Sequence, residues 1–130
     1  MARRVFLSFV EEDLDLVNLF RGQARNKNSD LEFSDYSVKQ PYDSTDAAYI
    51  RSKIRERLRA AYVTICLIGE STYRSLWVDW EIRTSVEEGN KVFGVRLHSS
   101  SAKDTTPKAL TDLQAPVYNW DVDAIVRAIG

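Results

Sequence analysis

The chain has 130 residues, 18 of them Lys or Arg and 19 Asp or Glu, for a formal net charge of −1. That length is room for one domain, 1–130, and the near-neutral balance lacks the basic footprint of a general nucleic-acid binder. With one cysteine, Cys66, and one histidine, His98, neither an intrachain disulfide nor a cysteine or paired-histidine metal centre is expected.

In chain order, Arg4 to Phe9 is a compact run of β-formers and is predicted to be a buried strand. Its apolar stretch is too short for a signal peptide, and no later run approaches the roughly 18 apolar residues of a membrane span. We therefore expect a soluble, cytoplasmic protein. Glu11, Glu12 and Asp13 suit the first turn of a helix, where partial positive charge favours acids. Leu14, Val17, Phe20 and Ala24 carry that helix to about Arg25. Leu31 to Asp35 alternates as a short strand does. Tyr36 to Thr45 reads as a loop, and Ser44, Thr45 or Asp46 can cap the next helix. Ala47, Ile50, Ile54, Leu58 and Ala61 form its apolar stripe. Its arginines read as a solvated face rather than a nucleic-acid patch.

Tyr62 to Ile68 is apolar almost throughout, as central parallel strands are. A helix follows from about Leu76 to Glu88, with Gly89 as its C-terminal cap. Lys91 to Leu97 is a fourth strand, and His98 to Thr106 a polar loop. A short extended piece, Ala115 to Asn119, precedes a last helix capped by Asp121. Alternation of this kind predicts a flavodoxin-like α/β sandwich of three layers. Its five-stranded parallel sheet has order 2-1-3-4-5, with helices on both faces.

Ligands of such sheets bind beyond the carboxyl ends of the strands. No phosphate-binding P-loop, Gly-x-Gly-x-x-Gly turn or Gly-x-Ser-x-Gly elbow occurs there. The informative segment is Ser75-Leu76-Trp77-Val78-Asp79-Trp80-Glu81-Ile82. On a helix, Val78, Ile82, Ser85, Val86 and Gly89 form a natural packing stripe. Trp77 and Glu81, at i and i+4, lie side by side on a second stripe. In isolation such a pair is packing plus a solvated acid. Here Phe9 and Asp35 also end strands on the same rim. An indole can raise a neighbouring carboxylate pKa and offers a surface on which a planar ring can stack.

The chain resembles a TIR (Toll/interleukin-1 receptor) domain, of the bacterial TIR-like type found in Thoeris antiphage systems. The resemblance rests on Arg4-Val-Phe-Leu-Ser-Phe9, on Tyr62-Val-Thr-Ile-Cys-Leu-Ile-Gly69, and on Ser71-Thr72-Tyr73 through Trp77-Val-Asp-Trp-Glu81-Ile82. Gly89-Asn-Lys-Val-Phe-Gly-Val95 completes it. It implies NAD⁺ as substrate rather than cofactor, with Glu81 as the catalytic carboxylate. Phe9 and Trp77 would hold the rings, and Asp35 or Ser71 would bond ribose or amide. It implies a cyclic or modified ADP-ribose product that signals to a separate effector protein, and self-association through TIR surfaces. Neither a nucleic acid nor a membrane is an expected partner. Enzymatic relatives often carry a basic residue after the first-strand aromatic, where Val10, Glu11 and Glu12 stand here. Lys39, in the loop matching the family's assembly loop, could supply a charge from a neighbouring copy. Two competing readings are a non-catalytic TIR interaction module and a nucleoside deoxyribosyltransferase-like enzyme using Glu81 as nucleophile.

Overall fold

A computed structural model describes residues 3–36, 41–98 and 104–130. Its elements are β1 (Arg3–Ser8), α1 (Leu14–Lys27), β2 (Leu31–Ser34), α2 (Ala47–Ala60), β3 (Val63–Ile68) and α3 (Leu76–Glu87). They continue with β4 (Lys91–Arg96), α4 (Lys108–Asp112), β5 (Val117–Tyr118) and α5 (Val122–Ile129). The sheet is parallel throughout, in the order β2-β1-β3-β4-β5. This is the expected doubly wound topology, and the element absent from the sequence reading is α4, a five-residue helix. Pro107 precedes it and takes the N-cap position, and five residues are too few to display a helical period.

The pleat sorts the core into two layers. Val5 and Leu7 of β1 join Val63, Ile65 and Leu67 of β3 beneath α1 and α5. Phe6, Cys66 and Ile68 point the other way, beneath α2, α3 and α4. Ser8 follows Phe6 at an interval of two, so it faces α3, and it is fully buried. β1 and β3 pair with Ser8 opposite Cys66. The carboxyl ends of the two central strands therefore open beside the start of α3.

Helix α3 is well specified at both ends. Ser75 caps it, its hydroxyl accepting the Val78 backbone N–H at 3.1 Å. At the other end Gly89 takes φ +85°, and Asn90 N–H bonds to Ser85 O at 2.9 Å. Together with Gly89 N–H to Val86 O at 3.0 Å, this is a Schellman closure, which a glycine permits without strain. The packing stripe differs from the sequence expectation. Glu81 and Thr84 are buried along with Val78, Ile82 and Ser85, whereas Val86 is 43% exposed. The helix lies rotated because the small, polar Ser8 leaves room and a partner for Glu81, and because α2 covers the Trp80–Thr84 flank.

Helices α2 and α3 are tied by charge. Arg55 and Arg59 both bond to Glu88, at 2.9 and 3.1 Å, and hold its carboxyl below the usual carboxylate range. The arginine face of α2, expected to be merely solvated, is thus partly an interhelical clamp.

Candidate functional site

The strand ends, the 3-10 turn 11–13 and the start of α3 enclose a cavity of about 420 Å³. That is within the range of small-molecule sites. Glu81 forms part of its lining yet is only 3% exposed. One α-helical turn earlier, Trp77 forms a wall. Its indole meets Tyr42 edge-on at 4.9 Å and Trp80 at 6.2 Å. The Arg51 guanidinium lies beside the Tyr42–Trp77 pair, 4.4 Å from the Tyr42 ring centre and 5.5 Å from that of Trp77. These contacts fix the indole by edge-to-face and cation–π attraction. Phe9, just past β1, contributes a second aromatic wall.

The carboxyl of Glu81 has one hydrogen-bond partner of note. The Ser8 hydroxyl donates to its Oε1 at 2.7 Å, a contact bridging 73 positions in sequence. Burial pushes the Glu81 pKa up to about 8, against the opposing pull of the Ser8 hydrogen bond. Removing water from around a carboxylate penalises its charged form, and a donor aimed at it recovers part of that cost. Glu81 is accordingly a mostly neutral acid at pH 7, able to ionise when a cation comes beside it.

Of the residues singled out from sequence, Phe9, Ser71, Trp77 and Glu81 line this one cavity. The Ser71 hydroxyl donates to Glu12. Asp35 stands apart: its carboxylate pairs with Arg21 of α1, its carbonyl accepts from Arg57, and it does not line the cavity. β2 ends at Ser34, one residue earlier than expected, so Tyr36 rather than Asp35 reaches the cavity. Lys39 lies outside the described residues. Among the described residues no group of three or more potential metal ligands occurs.

Sequence reasoning missed Ser8 and Arg74. Ser8 carried a usable signal, being a polar residue at an inward position of a buried strand, where a partner is obligatory. Arg74 carried none beyond its place between β3 and α3. The remaining features behave as packing. Cys66 is fully buried and burial pushes its thiol pKa up. Trp120 meets Phe20 edge-on and donates to Gln23 at 2.8 Å. His98, at the start of the expected polar loop, is half-buried, its Nδ1 2.7 Å from Asp104.

Comparison with known proteins supplies the lineage. The profile of the family "Thoeris protein ThsB, TIR-like domain" matches residues 6–102. A Bacillus cereus (strain MSX-D12) protein named "Putative cyclic ADP-D-ribose synthase ThsB1" is 34% identical over 107 residues. The match takes in 79% of this chain and 56% of that relative, so the chain spans about half its length. Among solved structures, a 3-dehydroquinate dehydratase-like protein from Bifidobacterium longum superposes with a TM-score of 0.51 at 13% identity. It covers 99% of this chain and 93% of its own. A fungal multi-domain GH3 beta-N-acetylglucosaminidase with a GCN5-related acetyltransferase region gives 0.53 at 13% identity, over 99% of this chain and 14% of its own. At such identity the likeness concerns the fold alone.

Proposed function

This chain belongs to the TIR-like domain family of the Thoeris protein ThsB, and on that premise we propose that it cleaves the nicotinamide–ribose bond of NAD⁺. The ADP-ribosyl group becomes a cyclic or modified ADP-ribose that signals to a separate effector in antiphage defence. The observation that carries this reading is a buried carboxyl, Glu81, lining a cavity walled by Trp77 and Phe9. The name of the Bacillus cereus relative is consistent with it.

The chemistry follows from charge. Nicotinamide leaves with the electron pair of the C1′–N bond, and the ribose ring takes on oxocarbenium character, as in glycoside cleavage. The pyridinium of the substrate is itself a cation, so its arrival favours the ionised form of Glu81. A carboxylate about 4 Å from the developing cation stabilises it by about 4 kcal/mol at an effective dielectric near 20. Part of that attraction already acts on the bound pyridinium, so roughly three decades of rate is its upper bound. Neutral nicotinamide departs without a proton donor, so a site with neither catalytic His nor Cys suffices. A nucleophile of the ADP-ribose itself, or water, then bonds to C1′ and loses its proton.

Nicotinamide release from NAD⁺ tests the proposal, with purified protein and with extracts of phage-challenged cells expressing it. The wild type should release nicotinamide, and Glu81→Gln should abolish release while leaving the fold intact by circular dichroism. Equal turnover by the variant, or no NAD⁺ consumption in either setting, would refute the assignment.

A further inference from the structure

Resting on the NAD⁺ reading, we propose that Arg74 is the substrate's diphosphate contact, making the site selective for a dinucleotide over a nucleoside. Among the described residues lining the cavity Arg74 is the single cation, and the acids of the lining are Glu11 and Glu12 at its mouth and the buried Glu81. A diphosphate brings two negative charges into that acidic mouth. It needs a positive partner there, and like charges in a confined, partly desolvated site are costly.

Depth separates the acid of the cavity from its cation. Glu81 is buried, Trp77 half-buried and Arg74 exposed. From Ser75, the cap residue next to Arg74, to Glu81 is about 9 Å of helix axis at 1.5 Å per residue. With the ribose carbon that loses nicotinamide set at Glu81, the pyridine ring lies against Trp77 and Phe9. The diphosphate, one ribose from the reacting carbon and costly to strip of water, is placed at the open rim, where the exposed Arg74 stands. The guanidinium rests on the Tyr73 ring, 5.3 Å from its centre, and joins no ion pair among the described residues. A planar fork of donors held by a ring face presents its N–H groups edge-on, the geometry that suits phosphate oxygens.

Calorimetric titration with two probes tests the assignment: ADP-ribose, which has the diphosphate, and nicotinamide riboside, which has none. Arg74→Gln should weaken ADP-ribose by about tenfold, the scale of one charge-assisted hydrogen bond, and leave nicotinamide riboside unchanged. Arg74→Lys should recover part of the loss. Added salt should weaken ADP-ribose binding more steeply in the wild type than in Arg74→Gln. Unchanged ADP-ribose affinity in Arg74→Gln, or equal loss for both probes, overturns the inference while nicotinamide release by the wild type keeps the NAD⁺ reading intact. Selective loss of ADP-ribose binding without any NAD⁺ cleavage by the wild type sinks the reading and supports Arg74 as a diphosphate contact. A wild type that binds neither probe overturns both.

Discussion

Replacing Ser8 by alanine removes one hydrogen bond, and its consequence can be followed to an observable pH. Ser8 is fully buried and donates to Glu81 Oε1 at 2.7 Å. That bond favours the ionised carboxylate, whose pKa burial has already raised to about 8. A hydrogen bond to a charged group contributes roughly 1.5–3 kcal/mol, and one pKa unit is about 1.36 kcal/mol. Ser8→Ala should therefore lift the Glu81 pKa by a further one to two units. If Glu81 acts ionised, kcat/KM rises with pH along a limb set by its pKa in the free enzyme. The limb should lie near the wild-type pKa of about 8 and move upward in the variant. At neutral pH the rate should fall by about tenfold for each unit of that shift. The assay is the initial rate of nicotinamide release from about pH 6 to 10. A limb that stays in place, or a loss equal at every pH, would mean that Ser8 only fills space and would refute the argument.

Two further outcomes concern stability. The folded pKa of Glu81, about 8, exceeds its ordinary value of 4.5, so its stabilising contribution is complete below pH 4.5 and is lost as pH rises through about 8. Urea unfolding should show the wild type losing ground to Glu81→Gln across that window, by at most roughly 5 kcal/mol; parallel pH profiles would contradict the assigned burial cost. Just past β3, a Cβ on Gly69 would collide with the Asp13 carboxylate. Gly69→Ala should cost about 1–3 kcal/mol, and thermal melts should show less loss in an Asp13→Ala background; additive losses would exclude the contact as the cause.

The parts of this molecule legible from sequence are those fixed by pattern over several residues. The unbroken apolar run 62–68 announced a strand covered on both faces, and it forms the centre of the sheet. The alternation of elements announced parallel pairing, since right-handed crossovers leave few other arrangements. The Trp77–Glu81 spacing placed two side chains on one helical stripe, and both do line the cavity. What escaped depends on single contacts made across the fold. Nothing in the neighbourhood of Asp35 reveals that Arg21, on a different element, will claim its carboxylate. Nothing in a 3.6-residue period reveals that a buried serine 73 positions earlier will turn α3 so that Glu81 is inside and Val86 out. Periodicity finds faces, whereas the rotation of a helix on its sheet is decided by the partner's side-chain volumes and donors.

The outer strands are short, four residues in β2 and two in β5. A neighbouring molecule adding itself to either margin would find only a few main-chain donors and acceptors to satisfy, too few for open-ended ribbon growth. Pairing along the sheet margins therefore contributes little to any higher-order array of this chain, which leaves its helices and loops as the surfaces to build one from.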